Sequence, residues 1–381
     1  MSGSPTTRIR RMATEVSPDG RELRFGRRRR ALEQMEAHDI DVLVLGRQAN
    51  VRYVTGAPQL WIGGTRPFGP VCVMLRGSGE IFLMSTDDEG VPDEIGRDRL
   101  YGLAWNPMTF IDVLKNIDGS ATAKRVGTDA ITPTFATLLP MAFPRAEFVD
   151  GELPMLAARR TKTSEEVAAM SAAVRVAEAG IAAAVAELRP GLTEQTLTGA
   201  VLEAMAAGGV STPATQDAAW VTSCEHPWQR AHGEVCDGDL VAFSAGALAD
   251  GYVAEVARTW PVGETTDATR ALYQRSNHLW DKLIAACRSG ARAGDLLAAY
   301  EAAGEPAPPM AVAHGLGLGF DPPVISRQLP VTADTERLDP GMVLALTGYV
   351  WQEGVGGVLR RDSVVIADDG PRVLTASPLW Q

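Results

Sequence analysis

The first 150 residues alternate between helix-like and strand-like hydrophobic patterns. Apolar residues recur at near-helical spacing among charged ones over 27–39, which predicts a helix there. Short apolar runs bounded by glycine or turn residues predict buried strands over 41–46, 69–75 and 80–84. Because helix, strand and turn alternate, the sequence predicts an α/β domain over 25–152.

The hydrophobic pattern changes near Gly151. Before it the predicted helices and strands are short and alternate, and after it long helices and then long strands are predicted. An alanine-rich stretch follows the cap residue Ser164 and stops at Pro190-Gly191, which predicts a helix. The other predicted elements are helices over 193–207 and 267–288 and strands over 239–246, 252–262, 342–350 and 358–366. Residues 153–381 therefore read as an α+β domain in which helices flank an antiparallel sheet.

Charge and composition narrow the functions that the chain can have. The 381 residues carry a formal net charge of −11, which argues against nucleic acid as a partner. Residues 1–24 read as a basic arm, because residues 1–30 hold nine arginines against three acidic residues. The chain lacks a run of 18 apolar residues, so we expect no membrane span. Four cysteines without CxxC spacing fit a reducing cytoplasm.

Four stretches occur in an order that carries a family resemblance. They are NVRYVTG at 50–56, RTKTSEE at 160–166 with PGLTE at 190–194, the region 238–263 from GDLVAFSAG to PVG, and HGLGL at 314–318 with PGMVL and GG behind it. Together they resemble the creatinase, aminopeptidase P and prolidase group, family M24. The resemblance implies an N-terminal creatinase-like domain followed by a pita-bread domain, and a homodimer whose subunits share active sites. It also places the first motif, 50–56, at the close of the first strand.

The resemblance also implies a dinuclear metal site with five ligands, two aspartates, one histidine and two glutamates. At those positions this chain has Ser244, Glu255, His314, Thr347 and Arg361. His314 alone matches outright, and Glu255 matches in charge. Serine, threonine and arginine do not supply the anionic or imidazole ligands that divalent metals need, so we expect no metal and no other cofactor.

The charges of these five residues balance without metal. Arg361 cannot lose its proton, so we expect it to replace the missing positive charge and to pair with Glu255. Asp362 does not rescue the metal site, because neighbouring residues of a strand point to opposite faces. The alternatives are a structural ion pair that fills an inactive site, ordinary strand roles for Ser244 and Thr347, and a slight shift in the alignment of the last strand, which carries Arg361.

Further candidates come from the loops. His226 lies twelve residues before Gly238, where the family keeps a histidine that acts as acid and base in the metal-free creatinase; His232 competes for this role. Arg66, in a loop after a strand, is a candidate for binding an anionic substrate together with Arg361, Ser244 and Thr347. Phe320 stands where the family often has a second histidine. The prolines that follow, 322–323, predict a stiff extended loop.

Three functions stay open on these observations. The first is a metal-independent hydrolase or lyase that acts on a C–N bond of a small anionic molecule, with His226, Glu255 and His314 as catalytic residues. The second is a metallopeptidase for Xaa-Pro bonds with an unusual site. The third is a non-catalytic family member that binds a small molecule or a peptide.

Overall fold

The computed structural model describes residues 20–58, 71–85, 90–102, 106–129, 131–210, 214, 218–231 and 233–380. Two sheets organise these residues, a mixed one before residue 151 and an antiparallel one after residue 218. The predicted α+β architecture, an α/β part followed by helices around an antiparallel sheet, is confirmed.

The first sheet has six strands in the order β4-β3-β2-β1-β5-β6. Its elements are α1 (Arg21–Ala37), β1 (Val42–Leu45), α2 (Gln48–Thr55), β2 (Cys72–Leu75), β3 (Ile81–Met84), β4 (Leu100–Tyr101), α3 (Pro107–Lys115), β5 (Arg125–Thr128), α4 (Pro133–Leu138) and β6 (Glu147–Asp150), with 3-10 turns at Arg97–Arg99 and Leu139–Met141. Strand β1 is buried along its whole length, as its continuous apolar run predicts.

The second sheet orders its strands β11-β10-β12-β13-β9-β8-β7, and β14 pairs with β13. The elements are α5 (Glu152–Arg160), α6 (Ser164–Glu187), α7 (Glu194–Ala207), β7 (Ala219–Val221), β8 (Leu240–Ala249), β9 (Tyr252–Pro261), α8 (Asp267–Ala286), α9 (Asp295–Ala302), β10 (Ala313–Leu316), β11 (Phe320–Ile325), α10 (Pro330–Thr335), β12 (Val343–Gln352), β13 (Gly356–Ala367) and β14 (Gly370–Val373). Helices α6 to α9 cover one face, and we call the opposite face, which carries Glu255 and Arg361, the inner face.

The first sheet closes one end of the inner face. Leu45 and Tyr53 of the N-terminal part share one buried core with Val253, Val343 and Val365 of the second sheet. Burial of these apolar side chains is the main stabilising contribution at this contact. The polar residues of the inner face therefore begin where this shared core ends.

Helix α6 is the longest helix in the described part of the chain. Its N-cap is Thr163 rather than the predicted Ser164, and Thr163 forms a capping box with Glu166. By length and composition alone α6 could cross a membrane, which the sequence analysis did not anticipate. Its apolar side is packed against β8, β9 and α7, as is typical of a core helix.

Two further sequence-based expectations about local structure are wrong. Residues 48–55 form helix α2, which ends at Gly56 in the left-handed conformation (φ 74°), rather than closing a strand. Pro322 and Pro323 lie inside β11, which pairs with β10, rather than in a loop. Strand β11 is the last strand of the sheet, and an edge strand tolerates proline because half of its N–H groups need no ladder partner.

A buried charge cluster fixes β11 against the start of the second part. Arg159 at the end of α5 donates from Nε and Nη2 to Oδ1 of Asp321, at 3.3 and 3.1 Å. Lys162 places Nζ 3.7 Å from Oδ2 of the same carboxylate, and all three side chains are at most 5% exposed. Burial lowers the pKa of Lys162, and the Asp321 charge opposes that shift.

We predict that Asp321→Ala lowers the free energy of unfolding by about 3–5 kcal/mol, because it removes the nearest carboxylate from two buried cations, of which only Arg159 keeps another among the described residues, Glu152 at 3.6 Å. Arg125→Ala is the matched control. It removes an ion pair of 2.6 Å to Glu147 that is exposed, and we expect it to cost at most about 1 kcal/mol. Urea unfolding of both variants measures the difference; equal losses would show that the cluster is not stabilising.

Candidate active site

A row of directly opposed residues crosses four strands of the second sheet. Ser244 of β8 pairs with Ala257 of β9, Ala257 with Arg361 of β13, and Arg361 with Thr347 of β12. Opposed residues of antiparallel strands point to the same side of the sheet. Ser244, Arg361 and Thr347 therefore share the inner face.

Glu255 and His314 reach the same face from adjacent positions. Glu255 lies two residues before Ala257 on β9, and His314 of β10 is opposed to Ala345, two residues before Thr347. Side chains two apart on a strand point the same way. The fold thus brings five of the seven residues predicted for the site onto one face.

Direct contacts join four of these side chains. Arg361 Nη1 lies 3.0 Å from Glu255 Oε2, and His314 Nε2 lies 3.3 Å from the same oxygen. Arg361 Nε donates to Thr347 Oγ1 at 2.9 Å. The predicted pairing of Glu255 with Arg361 is confirmed.

Glu255 is the electrostatic centre of this group. Its side chain is 5% exposed, against 16% for Arg361 and 15% for His314. Burial by itself raises the pKa of Glu255, but the interaction with the nearby His314 imidazole and the positive charge of Arg361 outweigh burial and lower it. Glu255 is therefore ionised at neutral pH, and its charge is balanced by the guanidinium.

The donors at this site do not fit two bridged metal ions. Glu255 Oε2 is already shared by a guanidinium and an imidazole, and the other inner-face residues, Ser244 and Thr347, offer hydroxyl oxygens. Among the described residues, His, Cys, Asp and Glu form no group of three or more that could hold a metal ion. Bridging two divalent cations requires several carboxylates, whereas Glu255 is the only one among the five described residues that meet here.

Asp362 faces away from the site, as its position next to Arg361 requires. It is fully buried and accepts hydrogen bonds from Arg258 Nη2 at 2.6 Å and from Arg360 Nε at 2.9 Å. The ring of Trp280 lies 4.0 Å beneath the guanidinium of Arg360. This network, which sequence reasoning missed, anchors β13 from behind.

The remaining predicted residues are not joined to the group. His226 lies on the exposed loop between β7 and β8, where its backbone N–H donates to Ser223 Oγ at 3.1 Å. The contacts of the described residues do not link its imidazole to Glu255 or Arg361. Arg66 and His232 lie outside the described residues. The catalytic role of His226 stays a prediction.

Phe320 lies against His314 in the slot expected for a second histidine. The two rings stand edge to face with centroids 5.3 Å apart, and Phe320 is 59% exposed. The neighbour of His314 is thus an apolar ring that cannot transfer a proton.

Sequence reasoning also missed an aromatic cluster on the inner face. We use this name for Trp220, Trp228, Tyr349 and Trp351, which pack around Ala242, Ala257 and Leu359. Tyr349 and Trp351 follow Thr347 at two and four residues along β12. That period-two spacing was the signal in the sequence that could have placed them on the same face.

We predict that Arg361→Ala lowers the free energy of unfolding by about 3 kcal/mol or more, because it leaves Glu255 ionised and unpaired in a buried position. Arg372→Ala, on the exposed strand β14, is the control and should change stability by less than about 0.5 kcal/mol. Adding Glu255→Gln to Arg361→Ala should restore part of the loss, since the uncompensated charge disappears. If Arg361→Ala unfolds at the same urea concentration as the wild type, the pair contributes nothing.

Comparison with known proteins agrees with this architecture. A hydrolase/peptidase of Sinorhizobium fredii named y4tL is 24% identical over 93% of this chain and 95% of that protein. A creatinase of a Bacillus species is 23% identical over 92% of this chain and 90% of that protein. The solved structure of an Xaa-Pro dipeptidase from Bacillus anthracis superposes with a TM-score of 0.76 at 18% identity, over 94% and 99% of the two chains.

The family profiles cover nearly the whole described chain. The creatinase/prolidase N-terminal domain matches residues 27–161. Metallopeptidase family M24 matches residues 168–368, which is more than half of the 381 residues and contains every strand of the second sheet up to β13. As the ordered motifs predicted, the chain belongs to metallopeptidase family M24, a family of hydrolases.

Proposed function

We propose that this protein is a metal-independent hydrolase that cleaves a C–N bond of a small anionic molecule. The observation that carries the proposal is the ion pair between Arg361 and Glu255, which places a fixed guanidinium where the family resemblance implies metal ions. The fold and the family membership support a hydrolase. The side chains at the site support a mechanism without metal.

The chemistry is divided among the side chains that meet on the inner face. Water attacks the substrate carbon, an imidazole takes the proton from that water, and the same proton passes to the nitrogen as the C–N bond breaks. His314 is held for this role by Glu255, whose ionised carboxylate lies 3.3 Å from its Nε2. The Arg361 guanidinium stabilises negative charge that develops on the substrate oxygen. His226 is the second candidate for proton transfer.

A metallopeptidase acting on Xaa-Pro bonds is the second candidate. The names of relatives favour it, since an Xaa-Pro dipeptidase of Pyrococcus horikoshii is 23% identical over 91% of this chain and 96% of that protein. The donor set disfavours it, because the only carboxylate among the five inner-face residues is paired with Arg361.

A cytoplasmic location is part of the main proposal and is supported by four free cysteines.

We predict that purified protein dialysed against a metal-free buffer retains less than about one divalent ion per chain, because Glu255 and His314 alone are too few ligands for tight binding. Plasma emission spectrometry measures the content. Arg361→Glu should not raise it, since Ser244 and Thr347 remain. Two equivalents of manganese, zinc or iron in the wild type would contradict the proposal and favour the peptidase.

We predict that chelator-treated enzyme keeps its activity in a depletion screen of small amides, amidines and Xaa-Pro dipeptides. On a substrate so found, His314→Ala should lower turnover by roughly 10²–10⁴, the usual loss for a general acid or base, and a loss of that size in His226→Ala instead would assign the proton transfer to His226. His38→Ala, at the exposed end of α1, is the matched control and should be active. Activity that appears only after a divalent metal is added would overturn the proposal.

We also propose a homodimer, as the family resemblance implies. Light scattering at micromolar concentration should then give twice the chain mass of 40.6 kDa. A monomer at that concentration would contradict this part of the proposal and any contribution of Arg66 to a neighbouring site.

A further inference from the structure

The aromatic cluster lies on the inner face next to the charged group, by which we mean Glu255, Arg361 and His314. Trp220 is opposed to Ala242 across β7 and β8, and Tyr349 is opposed to Leu359 across β12 and β13. Tyr349 and Leu359 are each two residues from a member of the Thr347–Arg361 pair, a distance of roughly 7 Å along a strand. The aromatic cluster and the charged group are therefore one continuous surface.

The floor of this surface is made of small side chains. Ala242 and Ala257 are fully buried at its centre, while Trp220, Trp228 and Trp351 are only partly buried. Because the alanines are covered, the exposed parts of the three tryptophan rings are the surface that a ligand can reach. Small-molecule sites are usually lined by apolar and aromatic side chains with a few convergent polar groups.

The rings of the cluster are held in place before any ligand arrives. Trp228 packs on Tyr349 with ring centroids 4.2 Å apart, and its backbone N–H donates to the Tyr349 hydroxyl at 3.4 Å. Trp228 has φ 69°, a conformation that bulky residues rarely adopt and that surrounding contacts must maintain. Trp351 donates its indole N–H to the Ser223 carbonyl at 2.8 Å, which satisfies the polar atom of its ring.

Positive charge borders the cluster on two sides. The guanidinium of Arg230 lies 4.5 Å over the ring of Trp220, at the edge strand β7. Arg361 lies on the other side, beyond Leu359. A flat ring that lies on the exposed parts of the tryptophans has a guanidinium near each of its ends, which suits a ring that carries a carboxylate.

We infer that the aromatic cluster binds the planar ring of the substrate, so that the substrate class is an aromatic or heteroaromatic compound that carries both a carboxylate and the C–N bond to be cleaved. The inference rests on the proposed function for the placement of the scissile C–N bond, which lies against Glu255 and His314 when the ring occupies the cluster. Trp228 and Trp351 are then specificity-determining residues, and neither transfers a proton.

Equilibrium binding of matched probes tests the inference without turnover. Benzoate and cyclohexanecarboxylate have the same charge and nearly the same size but differ in planarity, and acetate lacks the ring. By calorimetry we expect benzoate to bind on the order of tenfold more tightly than cyclohexanecarboxylate, and acetate to bind more weakly than both. Benzoate binding should also change the tryptophan fluorescence.

Three variants localise the effect. Trp228→Ala should abolish the preference for benzoate, and Trp228→Phe should retain most of it because the planar ring is kept. Trp380→Phe is the control, because Trp380 packs on Tyr273 in the core on the opposite side of the sheet. A preference that survives Trp228→Ala while circular dichroism shows a folded protein, or equal affinity of the wild type for the two ring acids, overturns the inference.

The outcome is separable from that of the proposed function. Benzoate preference that depends on Trp228 supports the inference even if hydrolysis proves to need metal, since the binding measurement includes no reaction. Absence of that preference overturns the inference even if chelated enzyme hydrolyses a small amide.

Discussion

The site depends on one buried carboxylate that has to remain paired. Glu255 is 5% exposed, and an ion removed from water to that degree is costly unless an opposite charge stands beside it. Arg361 supplies that charge at 3.0 Å, while Thr347 accepts a hydrogen bond from Arg361 and fixes the orientation of its guanidinium. The nearby His314 imidazole and the positive charge of Arg361 together lower the pKa of Glu255 despite its burial.

The alternation of side chains along β13 separates two charge networks. Arg361 points to the inner face and meets Glu255, whereas Asp362, the next residue, points to the helix side and meets Arg258 and Arg360. A one-residue shift of β13 would turn Arg361 toward the helices and Asp362 toward the inner face, so that both would lose their partners. The register of β13 is thus fixed from both faces.

The sequence was informative for features that follow from local patterns, such as strand positions and the alternation of side chains along a strand. The predicted strands correspond to β8, β9, β12 and β13 within a few residues, and side-chain alternation correctly placed Asp362 on the face opposite Arg361, whereas the pairing of Arg361 with Glu255 was expected from the family resemblance. It could not find contacts made by residues far apart in the chain. The bond between Arg159 and Asp321 spans 162 positions, and Trp228 reaches Tyr349 over 121 positions, so neither appears as a local pattern. His226 shows the same limit, since spacing from Gly238 does not determine where an exposed loop turns its side chain.

The proposed function requires that the Arg361 guanidinium, and not a metal ion, balances the charge of Glu255. The most direct test is a crystal structure from crystals soaked in excess Mn²⁺, with anomalous data collected at a wavelength where manganese scatters strongly. The account predicts no anomalous peak between Glu255 and His314, with Arg361 still within hydrogen-bond distance of the Glu255 carboxylate. A manganese peak bonded to Glu255 and His314, with Arg361 displaced, would contradict it.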